Sequence, residues 1–281
     1  MSFSESTSLH ETASRLILEI AAYGPCVVAF SGGVDSTVVA AAAKRALGSQ
    51  AIAATAVSPS LAQLMSATAA RVAQELGLRH FLVQTNELEN SDYARNDSRR
   101  CYHCKHELYQ LLEQVAIQHN MSTIVSGTNA DDLSDFRPGL QAAAEFRVRS
   151  PLAELGIGKA MVRAIARAWQ ISVAEAPAAP CLASRIAYGE AVTEEKLQRI
   201  DRAENLLREL GFPENRVRLH PGDLARIEVP ANRLADICQM NLFVQISQHF
   251  RAVGFKFVTV DMEGLRSGNL NQLVSISKYE R

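Results

Sequence analysis

Ser31-Gly32-Gly33-Val34-Asp35-Ser36-Thr37 is the stretch whose reading decides the fold. It follows Cys26-Val27-Val28-Ala29-Phe30, a short apolar run suited to a buried parallel strand. After it, residues 36–47 are rich in Ala and Val, carry Lys44 and Arg45 near the end, and are closed by Gly48, as a helix would be. The unit reads strand, glycine loop, helix. Glycines let the backbone turn sharply and come close to a ligand. Successive N–H groups at a helix start form a concave anion site, which the helix dipole reinforces. Ser31, Ser36 and Thr37 add hydroxyl donors. Asp35 is unfavourable beside phosphate unless a cation bridges them, which points to Mg²⁺ held by one carboxylate and phosphate oxygens. The loop lacks the Gly-Lys-Ser/Thr ending of a Walker A loop, and it is not GxGxxG.

Outward from this loop the pattern repeats. Ala51–Val57 reads as a strand, 60–76 as a helix ended by Gly77, 80–84 as a strand, 105–118 as a helix and Thr123–Val125 as a strand. A helix over 7–22 precedes them, stopped by Gly24-Pro25. Such alternation predicts a parallel sheet with helices on both faces. Ligands of these sheets bind at the carboxyl ends of the strands, where both Ser31-Gly32-Gly33 and Ser126-Gly127-Thr128 fall. Residues 138–158 lack clear periodicity, 159–170 look helical, and Ala176-Pro177-Ala178-Ala179-Pro180 reads as a rigid linker. After Thr193 the pattern changes: a helix over 194–210, strands at Arg216–His220 and 226–229, a helix over 241–253 and a strand at 256–260. The expected class is α/β, with a parallel-sheet domain over 1–190 and a smaller C-terminal α+β domain over 191–281.

Composition bounds the function classes. The 281 residues are 47% apolar and 21% charged, ordinary for a globular chain. The net charge of −1 leaves no basic excess for sequence-independent binding to a phosphate backbone, so no nucleic-acid partner is expected. Glu5, Glu11, Arg15 and Glu19 interrupt the first twenty residues, unlike a signal peptide. No apolar run approaches the roughly 20 residues that span a bilayer, so no membrane association is expected. The expected compartment is the cytoplasm, where the five cysteines stay reduced.

Cys101-Tyr102-His103-Cys104 is a CxxC pair just before a predicted helix, and Cys181 lies far downstream in Pro180-Cys181-Leu182-Ala183-Ser184-Arg185. Thiolates ligate soft metals and act as nucleophiles. Three of them could hold three irons of a [4Fe–4S] cluster, leaving the fourth iron for an extra sulfide or a substrate. CxxC with His103 or His106 could instead bind Zn²⁺, the pair could be redox-active, or the thiols could be inert. A c-type haem is not expected, because Lys105 rather than His follows the second cysteine. Cys26 and Cys238 read as small core residues.

The glycine loop resembles the SGGxDS signature of the PP-loop ATP pyrophosphatases. The resemblance implies an adenine nucleotide alpha hydrolase-like domain that cleaves ATP between the α and β phosphates and holds pyrophosphate in the loop. Ser126-Gly127-Thr128-Asn129-Ala130-Asp131-Asp132 is similar to the superfamily segment that closes over the nucleotide. The whole set is similar to the LarE family, across about residues 10 to 270. It comprises Ser31–Thr37, the segment from Ser126 to Gly139, Pro180–Gly189, the stretch Arg216–Val229, and the late Gly264-Leu265-Arg266-Ser267-Gly268. LarE proteins are sulfur transferases of nickel-pincer nucleotide biosynthesis. They adenylate the carboxylates of pyridinium-3,5-biscarboxylic acid mononucleotide and convert them to thiocarboxylates.

Carried over, the resemblance places ATP and pyrophosphate on Ser31, Gly32, Gly33, Asp35, Ser36, Thr37, Ser126, Gly127 and Thr128, with Mg²⁺ on Asp35. It places the substrate phosphate on Arg216 and Arg218, and carboxylates near the active site at Glu204 and Asp236. Cys181 matches the sulfur-bearing cysteine. In one branch of the family that residue gives up its own sulfur. In a second branch, with two further cysteines, a [4Fe–4S] cluster carries the sulfide; Cys101 and Cys104 align this chain with the second and make Cys181 a ligand. Catalytic roles are thereby expected for Cys181, Asp35 and Glu204, with a nucleotide substrate, a sulfide-donor protein and a homo-oligomer as partners. The competing expectations are a tRNA thiolase and a non-catalytic nucleotide or iron–sulfur sensor.

Overall fold

The computed structural model describes residues 3–134, 138–177 and 180–266. Ala178 and Ala179 of the proline-rich linker, residues 135–137, and Ser267 and Gly268 lie outside the described residues. By its internal contacts the chain divides into two compact units. One comprises Met1–Glu87 and Cys101–Ala179, the other Leu88–Arg100 and Pro180–Arg281.

The larger unit runs α1 (Phe3–Tyr23), β1 (Cys26–Ala29), α2 (Val34–Leu47), β2 (Ala51–Val57), α3 (Gln63–Glu75) and β3 (Arg79–Gln84). After the segment given to the other unit, which holds the short α4 (Ser91–Ala94), it resumes with α5 (Arg100–Gln118), whose first residue still counts with that segment, and β4 (Thr123–Val125). It ends with α6 (Gly139–Glu145), α7 (Pro151–Glu154) and α8 (Lys159–Ala168). The sheet order is β3-β2-β1-β4, and every pairing is parallel. Successive strand residues point to opposite faces. Accordingly Cys26, Val28 and Ala53 join the core formed with α1, α2, α3 and α8, whereas Val27, Ile52 and Ala54 pack against Leu108, Tyr109 and Leu112 of α5. Both faces are covered, as a parallel sheet requires. Alanine lets α2 lie close against its neighbours: Ala40, Ala41, Ala42 and Ala43 are fully buried. Burial pushes the Cys26 thiol up to about 12, so it stays a protonated core residue.

Two helices begin earlier than the sequence pattern suggests. The first starts at Phe3 rather than residue 7, and α5 starts at Arg100 rather than 105, which puts Cys101 and Cys104 in its first turn. The unpatterned stretch 138–158 contains the short α6 and α7.

The smaller unit contains α9 (Glu194–Glu209), β5 (Arg216–His220), β6 (Leu224–Glu228), α10 (Leu234–Ile237), α11 (Met240–Ala252) and β7 (Phe257–Val260). Its sheet is mixed: β5 pairs antiparallel with β6, and β6 pairs parallel with β7. Thr193 caps α9, its hydroxyl accepting from the Lys196 N–H. Leu197, Ile200 and Leu207 form the fully buried stripe of α9, each contributing about 1.5–3 kcal/mol. Cys238 departs from the expected core position. Ile237 takes the buried place and Cys238, capping α10, is exposed.

Among the described residues, no helix is long and apolar enough to cross a membrane.

Candidate functional site

The glycine loop sits at the carboxyl end of β1, between that strand and α2. The first intrahelical bond of α2 runs from Thr37 N–H to the Gly33 carbonyl at 3.0 Å. The preceding N–H groups of Val34, Asp35 and Ser36 therefore lack an intrahelical acceptor and face the helix start, where an anion would bind. Two glycines are required on steric grounds. Gly32 has φ +73°, and a Cβ there would lie 2.8 Å from Ala69 Cα. Gly127 approaches from the second loop so closely that a Cβ would sit 2.6 Å from Ser36 N. Ser31 Oγ and Ser36 Oγ lie 3.1 Å apart at the loop mouth. Ser36 Oγ also donates to the Gly33 carbonyl at 3.1 Å, as does the fully buried Thr37 at 2.8 Å, so both shape the turn.

Asp35 is the meeting point of three elements. Its Oδ1 accepts from Asn129 Nδ2 at 3.2 Å, and its Oδ2 pairs with the Lys159 ammonium. Asn129 is buried, and its Oδ1 accepts from the Asp131 N–H at 2.9 Å. Asp131 in turn accepts from the Lys159 N–H at 2.7 Å, and a Cβ on Gly158 would press into its carboxylate at 2.9 Å. Ser126 Oγ donates to Thr128 Oγ1 at 3.0 Å and lies 3.0 Å from Ser150 Oγ. The two glycine loops and the start of α8 thus form one polar network, with a cation poised on the loop carboxylate.

Lys159 and Asn129 were not singled out by sequence reasoning. A signal for Lys159 existed, since a cation in the first turn of a helix opposes the helix dipole and needs another reason to be there.

The smaller unit holds the residues around Cys181. Cys181 is exposed and caps a short 3₁₀ turn over Leu182–Arg185. Its carbonyl accepts from the Ser184 hydroxyl at 2.7 Å and from Arg185 Nη1 at 3.2 Å. Glu204 is fully buried. Its Oε1 accepts from Arg185 Nε at 2.9 Å and the Val217 N–H at 3.1 Å, and its Oε2 from Arg208 Nη2 at 3.2 Å. Arg218 is 3% exposed, with Nε and Nη2 on Glu228 Oε2 at 3.0 and 2.9 Å and Nη1 on the Ser184 carbonyl at 2.9 Å. Arg216 donates to the Arg266 carbonyl at 3.3 Å. Burial, then the neighbouring Arg218 and Arg185, lower its pKa, which marks a place where an incoming anion would relieve repulsion. Asp236 is a half-exposed partner of Arg233, at 2.5 Å. Sequence spacing placed Arg216 and Arg218 on one strand face; the structure adds that Arg218 and Glu204 sit inside an internal ion-pair network.

In α5, Cys101 is exposed and Cys104 half-buried. Among the described residues, no three or more His, Cys, Asp or Glu side chains gather into a group that could hold a metal ion.

With this geometry in view, similarity to known proteins is informative. The asparagine synthase family model matches residues 18–167, the span that carries both loops and Lys159. A protein of Synechocystis sp. named only as uncharacterized is 47% identical over 249 residues, covering 89% of this chain and 92% of its own. The pyridinium-3,5-bisthiocarboxylic acid mononucleotide synthase of Lactiplantibacillus plantarum is 33% identical over 249 residues, covering 88% of this chain and 89% of its own. An uncharacterized protein of Methanocaldococcus jannaschii is 35% identical over 173 residues, 62% of this chain and 66% of its own. The loop geometry and these likenesses agree, and the chain belongs to the LarE family of the PP-loop superfamily, the ATP-utilising sulfur transferases.

Proposed function

We propose that this chain adenylates the carboxylates of pyridinium-3,5-biscarboxylic acid mononucleotide and converts them to thiocarboxylates, in the biosynthesis of the nickel-pincer nucleotide. The observation that carries this reading is the Ser31–Thr37 loop with Asp35 set between Asn129 and Lys159, in a chain related along most of its length to the synthase of that product.

In this reading the larger unit activates the substrate. The amides at the start of α2 and the Ser31 and Ser36 hydroxyls hold the β and γ phosphates. Asp35 is the residue that would hold Mg²⁺, a hard cation suited to carboxylate and phosphate oxygens, and the ion would supply charge neutralisation there. Lys159, paired with Asp35 beside the loop, is the cation within reach of the phosphate charge. A substrate carboxylate oxygen attacks the α phosphorus, the bond to the bridging oxygen breaks, and pyrophosphate leaves with its charge held by loop amides and Lys159. Adenylation is needed because a carboxylate oxygen is a poor leaving group. A sulfur nucleophile then attacks the carbonyl carbon, AMP departs and the thiocarboxylate remains.

The smaller unit serves the substrate in this scheme. Arg216 grips its phosphate. Glu204, already bound by Arg185, Arg208 and the Val217 N–H, fixes Arg185 beneath the Cys181 turn rather than moving a proton. The soft thiolates of Cys101, Cys104 and Cys181 are the donors that would hold a [4Fe–4S] cluster, which when bound supplies a transferable sulfide. In this reading the enzyme works in the cytoplasm as a homo-oligomer and receives its sulfur from a sulfide-donor protein.

The test is anaerobic purification of the wild type and of Cys101→Ala, Cys104→Ala and Cys181→Ala, followed by iron and acid-labile sulfide analysis and by incubation with ATP, Mg²⁺ and the biscarboxylic mononucleotide. The expected result is about four irons per wild-type chain, lost in each variant, with AMP, pyrophosphate and thiocarboxylate formed together. An iron-free protein that makes product once per chain, with dehydroalanine at position 181, replaces the cluster by Cys181 as its own sulfur donor. Pyrophosphate release that ignores the mononucleotide overturns the substrate assignment.

A further inference from the structure

The segment Leu88–Arg100 lies between two sheet strands in sequence but is counted with the smaller unit, and nothing in the ATP chemistry uses it. It forms a strap along the stretch that carries Cys181. Asn96 is its anchor. Fully buried and left-handed, with φ +59°, Asn96 donates through Nδ2 to the carbonyls of Ala187 at 2.9 Å and Glu190 at 2.8 Å, with that of Ile186 at 3.4 Å. Its own carbonyl accepts from the Gly189 N–H at 3.2 Å, and the Ala94 carbonyl accepts from the Val192 N–H at 2.8 Å. Arg100, 5% exposed, donates through Nη1 to Asn96 Oδ1 and, at 2.8 Å, to the Ala183 carbonyl.

The stretch beyond Cys181 is thereby held by side chains, carbonyl by carbonyl. Arg185 takes Pro180 at 2.6 Å, Ser184 takes Cys181, Arg100 takes Ala183, Arg218 takes Ser184 and Asn96 takes Ala187. On its other side the stretch is bridged to β5, where the Ala187 N–H donates to the Leu219 carbonyl at 2.9 Å. Buried carbonyls need such donors. Here two of the five, Arg100 and Asn96, come from a strap remote in sequence, and with the others they fix the backbone that presents an exposed thiol.

We infer that Asn96 and Arg100 are positioning residues for sulfur transfer, holding the Cys181 segment so that its sulfur chemistry outruns hydrolysis of the acyl-adenylate. This rests on the proposed role of Cys181, as sulfur donor or as ligand. A sulfur centre out of place leaves the acyl-adenylate to water, which returns the carboxylate and AMP. Pyrophosphate is then made without thiocarboxylate.

The measured quantity is pyrophosphate formed per thiocarboxylate, in the full-length anaerobic enzyme with ATP, Mg²⁺ and the biscarboxylic mononucleotide. Asn96→Gly keeps the left-handed backbone and removes only the side-chain bonds. It is expected to raise the ratio about 10- to 100-fold, the usual cost of losing a residue that orients a reactive one. Arg100→Met should do the same, and Arg100→Lys, which keeps a cationic donor for the Ala183 carbonyl, should recover part of the coupling. A purely structural role would lower both products together at an unchanged ratio, and that outcome overturns the inference. Should Asn96→Gly fail to show cooperative unfolding, the two Arg100 variants decide it alone. Cys181→Ala separates the two ideas. If it raises the ratio and the strap variants do not, the strap assignment fails. If it leaves the ratio at the wild-type value, the reading of Cys181 fails and the inference goes with it.

Discussion

The PP loop and the Cys181 segment present functional groups in opposite ways. The PP loop uses mainly its own backbone: N–H groups at the start of α2, the sterically required Gly32, and one carboxylate with a nearby lysine. The Cys181 segment presents one exposed thiol on a backbone whose carbonyls are held by Arg185 and Arg218, anchored on the buried Glu204 and Glu228, and by Arg100 and Asn96. The first arrangement is local and open to solvent. The second is long-range and dry. A site for a ligand that brings its own charge needs unsatisfied donors waiting for it. A site that must hold a reactive atom in place needs every supporting group satisfied, because an orphaned buried charge or carbonyl would let the segment move.

Substitutions at three places test this contrast, and a fourth tests an ion pair outside both regions. The largest effect is expected at Glu228, which is fully buried and receives Arg218 and Arg226. Glu228→Ala should lower stability by about 3–5 kcal/mol, because it strands buried guanidinium charge. Urea unfolding of the full chain measures this, and a loss below about 1 kcal/mol would mean that the network is a solvated surface feature. Next comes Asp35→Ala, where pyrophosphate formation should fall about 10²- to 10³-fold with little change in unfolding midpoint, as for loss of a group that stabilises transition-state charge. A large stability loss with unchanged turnover per folded enzyme would assign Asp35 to architecture.

A smaller effect is expected at Gly127, where an alanine Cβ would meet Ser36 N at 2.6 Å. Gly127→Ala should cost about 1–3 kcal/mol through overpacking and raise the KM for ATP by shifting the second loop off the first. Isothermal titration with a non-hydrolysable ATP analogue would show whether affinity drops with stability.

The smallest effect is expected at Glu154, which accepts from Arg149, the Ser150 N–H and Tyr23. The Arg149 hydrogen bond, the Ser150 N–H and Tyr23 hold its carboxyl at about 2, below the usual range for Glu. The native state therefore binds the ionised form better than the unfolded chain does. That stability is fully present above the unfolded pKa near 4.5 and is lost as pH falls towards 2. Glu154→Gln should cost about 1 kcal/mol at neutral pH, discounted for partial exposure, and the gap to wild type should close in acid. A gap that persists at low pH would point to shape rather than charge.

Legibility in the sequence follows the same division. Before residue 126 the order of the sheet strands and long helices was readable, because these carry their own periods and several end at glycines, as in Val27–Phe30 followed by Gly32 and Gly33, whereas the short α4 was missed. The early starts of α1 and α5 were not, since their first turns lack an apolar repeat. Cys238 was misjudged because a short apolar stretch does not tell which residue takes the one buried place; Ile237 does. Assignment of Leu88–Arg100 to the smaller unit had no local signal at all, because it rests on carbonyls that are 83 to 94 positions away from their donors.

The α/β class, the glycine loop between strand and helix, the carboxylate at Asp35 and the set of cysteines are all written in the local sequence. These depend on backbone conformation and residue chemistry over a few consecutive positions. Only the tertiary structure decided that Lys159 and Asn129 meet at Asp35, that Thr37 faces inward, that Arg218 and Glu204 are bound into internal ion pairs, and that Asn96 and Arg100 strap down the Cys181 segment. Apart from Thr37, those are pairings between groups from different elements of the chain. They are set by which strands and helices become neighbours, and no local pattern of residues encodes that choice.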